Sequence, residues 1–284
     1  MDRTAGETGT CGQTDAMRIA VAVRHFGEEP ALVGGRDDTL TGGSGTVFFT
    51  GCTMRCGFCQ NRQLSRGEVG REVSTGELAG IMLMLQNAGA VNVNIVSGTP
   101  FVPGILAGIH AARRRGLTLP VVWNGSGYET VETVELLSSA VDVFLPDLKF
   151  LDEELAGRLC AAPRYPEYAA AAIEKMLSYG PVRYDSDGMM RSGTIVRHLV
   201  LPGLLEKTRS VLRWCAQHGV GITEAGGRTG GACPGGSTPA DGSREARAAA
   251  AAESRESPAR AERAAPAGLL SLMVQFGVPE GLEG

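Results

Sequence analysis

Two periods of apolar residues alternate along this chain. Short runs rich in Val, Ile, Leu and aromatic residues read as strands: a weakly alternating one over 18–24, then 46–50 (Thr46-Val47-Phe48-Phe49-Thr50), 91–96, 119–123, 141–145, 194–201 and 269–276. Segments of helical spacing lie between them. The first opens at Ser74, with Glu77 three residues on as a capping box. It places Leu78, Ile81, Met82 and Leu85 on one face and stops near Gly89. Further helices are predicted over 102–115, 131–139, 151–159, 168–177 and 206–217. Strand and helix in this rhythm predict parallel βαβ units with right-handed crossovers. About six such units predict an α/β fold, a partial (βα)6 TIM-like barrel of parallel strands rather than a full eight-stranded one. In such folds the chemistry lies at the carboxyl ends of the strands. Here those ends are followed by polar or glycine-bearing loops after Thr50, Val96, Trp123 and Leu145.

Composition marks where the rhythm stops. Ala225 to Ala267 is almost all Gly, Ala, Pro, Ser, Arg and Glu, with alanine at every position from 248 to 252. Without large apolar residues it cannot bury a core. The expected organisation is a disordered lead-in over 1–17, a partial barrel over 18–224, a low-complexity, disordered insertion over 225–267, and a last strand and tail over 268–284. His25-Phe26-Gly27-Glu28-Glu29-Pro30 reads as a turn, and Gly34-Gly35 and Gly42-Gly43 bracket a flexible connection. A net charge of −4 over 284 residues points to neither nucleic acid nor an anionic membrane. There is no apolar run of about 18 residues, so no membrane span is expected. Asp2 and Glu7 sit where a secretory signal would be apolar. Seven unevenly spaced cysteines do not form a disulfide framework, which favours a reducing, cytoplasmic setting.

Three of those cysteines fall within eight residues, as Cys52-x3-Cys56-x2-Cys59, just after the strand at 46–50. Single buried cysteines behave as small hydrophobes, but that does not account for three so close together beside a polar Gln60-Asn61 pair. The spacing reads as a metal-cluster loop. Structural zinc takes four ligands, and ferredoxin clusters also use four cysteines. Three thiolates on a four-iron cluster would leave one iron open to a substrate or cofactor. A non-catalytic iron–sulfur or zinc protein, acting in redox sensing or partner binding, is the alternative. It would draw a fourth ligand from Cys160, Cys215, Cys233 or His25.

The motif C-x3-C-x-aromatic-C after a first strand resembles the signature of the radical S-adenosylmethionine (SAM) superfamily. Gly45 to Cys52 and Cys59-Gln60-Asn61, with the His25–Pro30 run, Phe101-Val102-Pro103, Leu145-Pro146-Asp147-Leu148-Lys149 and Arg197 to Gly203, look like its pyruvate formate-lyase activating enzyme branch. The resemblance covers about residues 18–223 and 269–276. It implies an oxidoreductase with a [4Fe-4S] cluster on Cys52, Cys56 and Cys59 and SAM on the open iron. Reductive cleavage of SAM would give a 5′-deoxyadenosyl radical that abstracts a hydrogen atom. A flavodoxin- or ferredoxin-like donor would supply the electron, and the target would be a glycyl-radical enzyme or a small molecule. Phe58 would offer an aromatic surface beside the cluster. Gly98 stands where many relatives carry a Gly-Gly-Glu-Pro stretch for the SAM amino group, but the glutamate is absent. Asn124, Asp147, Lys149 and Arg197 complete the expected cofactor-binding set. A turn at Asn124-Gly125 and a strand-end salt bridge between Asp147 and Lys149 are the plainer readings of those residues. His198 alternates with Arg197 and is expected to point the other way and pack.

Overall fold

The helix predicted to open at Ser74 does so with both halves of its capping box formed. Glu77 N–H donates to Ser74 Oγ at 3.2 Å, and the Glu77 carboxylate accepts from Ser74 N–H at 2.8 Å. The computed structural model describes residues 2–34, 42–222 and 268–274. In chain order the elements are β1 (Arg18–His25), α1 (Pro30–Val33), β2 (Ser44–Phe49), α2 (Arg62–Ser65), β3 (Arg71–Glu72), α3 (Thr75–Asn87), β4 (Val93–Val96) and α4 (Val102–Arg114). There follow β5 (Val121–Gly125), α5 (Val131–Leu137), β6 (Val143–Pro146), α6 (Glu153–Cys160), α7 (Tyr165–Leu177), β7 (Arg183–Tyr184), β8 (Met190–Val200), α8 (Leu205–Gln217), β9 (Val220–Ile222) and β10 (Gly268–Val274). The expected insertion over 225–267, the tail over 275–284 and the connection over 35–41 lie outside the described residues.

The expected partial barrel of parallel strands is present. β2, β4, β5, β6, β8, β10 and β9 lie side by side in that order, each parallel to its neighbour. From β2 to β8 the order follows the sequence. β10 then inserts between β8 and β9. β1 departs from the parallel rhythm. It pairs antiparallel with β2, and β3 pairs antiparallel with β1. Its alternation announced a strand but carried no information about direction.

Strand alternation sorts the side chains into two faces. On the outer face Val93, Ile95, Val121, Trp123 and Phe144 pack against Leu78 and Met82 of α3 and Ile105 and Ile109 of α4. Farther round the sheet, Val196 and Leu270 pack against α6, α7 and α8. The inner face is closed by an element the sequence did not announce. Leu32 of α1 inserts among Val122, Val143, Leu145, Ile195 and Leu269. It is 1% exposed, and burying such a side chain stabilises by about 1.5–3 kcal/mol. This contact holds the 26–33 segment inside the barrel.

The N-terminal residues expected to be disordered are packed instead. Cys11 and Gln13 are buried. Arg3 donates to the Pro100 carbonyl at 2.7 Å, and Arg55 reaches back to the Thr10 carbonyl at 2.7 Å. Guanidinium-to-carbonyl bonds hold this segment, so its polar composition did not reveal its order. Among the described residues, no helix is long and apolar enough to cross a membrane.

Candidate active site

The cysteine loop leaves β2 through Gly51, which has φ +84°. A Cβ there would collide with the Gln13 side chain and come within 3.0 Å of the Cys11 carbonyl, so only glycine fits. Beyond it the loop is fastened on two sides. Arg55 N–H and Gly57 N–H donate to the carbonyls of Cys160 and Leu159, each at 2.9 Å, tying the loop to the end of α6. The Arg55 guanidinium donates to the Cys52 carbonyl at 2.7 Å as well as to Thr10. Arg55 thus clasps backbone oxygens. Met54 and Phe58 are buried, and Phe58 meets Phe150 edge-on with ring centres 6.0 Å apart.

Cys52, Cys56 and Cys59 face one cavity of about 350 Å³ at the carboxyl ends of the parallel strands, within the usual range for small-molecule sites. Phe58, Asn124, Asp147, Lys149 and Arg197 line the same cavity. Burial pushes the Cys52 thiol up to about 11. Cys56 is lowered to about 7, first by its hydrogen bond with Cys160 and then by the Lys149 ammonium, against the effect of burial. A thiol favoured as thiolate beside a cation suits metal ligation.

Asp147 follows β6 and bridges to Arg197 of β8. Its carboxylate accepts from Lys149 Nζ at 2.6 Å and from Arg197 Nε at 2.6 Å. Burial alone would raise Asp147, but the two cations outweigh it and hold it at about 2. Arg197 also donates to Asn124 Oδ1 at 2.7 Å, so the ends of β5, β6 and β8 share one charged network. Lys149 Nζ lies 5.9 Å from the centre of the Phe58 ring, linking that network to the cysteine loop. Tyr165 OH ties the loops together from outside. It lies 2.9 Å from the Ser126 carbonyl, 2.6 Å from the Asp147 carbonyl, and accepts from Lys149 N–H at 2.9 Å. His198 is buried away from Arg197, with Nδ1 2.7 Å from the Leu148 carbonyl and Nε2 3.1 Å from Thr208 Oγ1.

Gly98 does not line the cavity. A Cβ there would lie 2.8 Å from each of Ile95, Ile105 and Trp123, so glycine lets the chain pass close over the outer core. Its neighbour Ser97 lines the cavity instead, with φ +59°, unusual for a residue with a side chain. Ser97 and Glu28, which line the cavity, and Tyr165, which braces its loops, are not among the residues the sequence singles out; Glu28 falls within the His25–Pro30 run that reads as a turn.

The donor set suits an iron–sulfur cluster. Thiolates are soft ligands that such clusters use. Among the described residues, no group of three or more His, Cys, Asp or Glu side chains could hold one metal ion. The three thiols instead face a shared cavity, where a cluster larger than a single ion would lie. Cys160, the further thiol beside Cys56, is fully buried and does not line that cavity. The adjoining Arg197, Lys149, Asp147 and Asn124 offer both charge signs and an amide, as the amino-acid end of SAM requires.

The family model of the radical SAM superfamily matches residues 46–215. An uncharacterised protein of Methanocaldococcus jannaschii, MJ0674, is 31% identical over 189 residues, 64% of this chain and 49% of that protein. The SAM-bound crystal structure of SuiB from Streptococcus suis superposes with a TM-score of 0.52 at 14% identity, over 79% of this chain and 48% of SuiB. The chain thus spans about half the length of each of these proteins. The SuiB likeness concerns the fold, while the family match covers the cysteine loop and the strand ends around the cavity. The chain belongs to the radical SAM superfamily, whose members bind a [4Fe-4S] cluster and S-adenosylmethionine and carry out SAM-dependent radical chemistry.

Proposed function

We propose that this protein is a radical SAM oxidoreductase that abstracts a hydrogen atom from its substrate, with Cys52, Cys56 and Cys59 as the three cluster ligands. The observation that carries the reading is the placement of these thiols on the same cavity as the Asp147–Arg197–Asn124 network. A [4Fe-4S] cluster held by the three cysteines, with SAM beside it, would supply the reductive radical chemistry for hydrogen abstraction. The chain's own residues orient and enclose. Arg197 and Lys149 are cations suited to the SAM carboxylate. Asn124 supplies an amide, and Asp147 holds both cations in place through its two short contacts. Phe58 and Met54 exclude water behind the cysteine loop. A flavodoxin- or ferredoxin-like protein is the class of donor that would supply the electron.

A narrower reading makes the target a glycine of a glycyl-radical enzyme. It rests on the likeness of the Asp147-Leu148-Lys149 and Arg197–Gly203 motifs to activating enzymes. The broader reading also accommodates a small molecule or peptide. The test is oxygen-free reconstitution with iron and sulfide, reduction, and addition of SAM. The expected result is about four irons per chain, an EPR signal of the reduced cluster that changes on adding SAM, and release of 5′-deoxyadenosine. A loaded cluster with an unchanged signal and no 5′-deoxyadenosine would refute the assignment in favour of a non-catalytic iron–sulfur protein.

A further inference from the structure

The His25–Pro30 run is conspicuous in the sequence, and the chemistry above gives it no task. Its path is set by β1, which runs antiparallel to β2 and brings His25 opposite Ser44, the first residue of β2. The chain then enters the barrel, where Leu32 is packed and its carbonyl accepts from Asn92 Nδ2 at 2.7 Å. Anchored this way, Glu28 lines the same cavity as the cysteines, with its side chain only 8% exposed.

The polar contacts of Glu28 across the cavity are long. Asn124 Nδ2 lies 3.3 and 3.5 Å from its two oxygens, and Arg197 Nη1 lies 3.5 Å away. The nearby cations are engaged by closer partners. Arg197 gives Nε to Asp147 at 2.6 Å and Nη2 to Asn124 at 2.7 Å, and Lys149 gives Nζ to Asp147 at 2.6 Å. Glu29 adds a second carboxyl within hydrogen-bonding reach of Glu28, while its own Oε2 is buried without a partner. Three carboxyl groups, Asp147, Glu28 and Glu29, therefore surround two cations. Burial, with Glu29 and Asp147 adding to it and Arg197 opposing, lifts Glu28 to about 7. A buried acid whose cation lies at 3.5 Å and is held more closely by Asp147 and Asn124 is only partly compensated, and a further cation would complete it.

We propose that Glu28 is the substrate-recognition group of this cavity, and that the substrate presents to it a cationic amine or guanidinium group. The proposal rests on the radical-enzyme reading and names the substrate class for the same site. A free small-molecule amine and a lysine or arginine side chain of a peptide offer the same chemistry.

The test is calorimetric titration of the reconstituted protein with SAM present and oxygen excluded. The small-molecule probes are n-butylguanidine, n-butylamine and the neutral n-pentanol. The peptide arm is a glycine pentapeptide with one central lysine, against its norleucine counterpart. At least one cationic probe should bind about tenfold or more tighter than its neutral counterpart, and the arm showing the preference identifies the source. Glu28→Gln should bring that ratio to about one, while Glu28→Asp should retain part of it. Equal binding of charged and neutral probes in both arms would overturn the proposal. So would a Glu28→Gln protein that keeps the preference, or one that loses SAM affinity instead, which would assign Glu28 to the cofactor. The titration is independent of turnover. A cation preference without 5′-deoxyadenosine release would sink only the enzymatic reading. Release without the preference would sink only the role of Glu28.

Discussion

Replacing Asp147 with asparagine keeps the shape of the side chain and removes the anion that holds two buried cations. The folded carboxyl titrates at about 2 against an ordinary value of 3.8. At about 1.4 kcal/mol per tenfold change in proton affinity, that drop corresponds to roughly 2–3 kcal/mol. Because the folded value is depressed, this stabilisation is fully present above about pH 4–5. It is lost as the pH falls toward 2 and is roughly halved near pH 3. Lys149 and Arg197 remain charged in the variant, so a loss of about 2–4 kcal/mol is expected at pH 7. For a chain of 284 residues, with an unfolding entropy of about 0.6 kcal/mol/K, that is a fall in Tm of about 3–7 °C. Thermal melts followed by circular dichroism at pH 7 and pH 3 would measure it, with the gap between wild type and variant narrowing at the lower pH. Removing Lys149 as well, as Lys149→Met, should cost less than the two single losses added together, because one stranded cation is gone. A variant melting within about 1 °C of wild type at pH 7, or strictly additive losses, would refute the reasoning.

Cys160→Ala should leave iron and sulfide content unchanged, whereas Cys59→Ala should lose most of both. Colorimetric iron and sulfide assays on reconstituted protein separate these outcomes, and an iron loss on Cys160→Ala would make it a fourth ligand. Tyr165→Phe removes an oxygen with three backbone partners and should cost about 2–3 kcal/mol, read as a lower urea midpoint with an unchanged slope. Gly98→Ala should cost about 1–3 kcal/mol by overpacking against Ile95, Ile105 and Trp123. If its role is packing alone, the SAM dissociation constant should not change, and a specific loss of SAM affinity would return Gly98 to the binding site.

Local signals survived the step from sequence to structure. The capping box at Ser74 and Glu77 involves residues three apart, and the cysteine spacing lies within eight residues, so neither needs knowledge of the fold. Asn124, Asp147 and Arg197 could be grouped because each sits at a strand's carboxyl end, where parallel βα units gather their loops. What escaped depends on long-range paths. Glu28 reaches the cavity only because β1 runs backwards and Leu32 plugs the barrel. Alternation within 18–24 cannot state that direction, so a turn was the natural expectation for residues 25–30. Residues 2–16 looked disordered by composition, yet Cys11 and Gln13 lie buried beside Gly51. Tyr165 acts through its hydroxyl on loops from two strands, a contact that helical spacing does not encode.

The position of β10 has a consequence for biosynthesis. Residues 268–274 pair with both β8 and β9, yet they emerge from the ribosome after residues 223–267 have been made. Until then β8, which carries Arg197, and β9 each present backbone donors and acceptors that their eventual neighbour will cover. Such open strand borders invite mispairing with other nascent chains. Translation pausing or chaperone binding during synthesis of the intervening stretch would therefore act on the yield of folded protein. A chain interrupted before residue 268 would keep the three cysteines of the loop, Cys52, Cys56 and Cys59, while leaving β8 and Arg197 at a frayed margin.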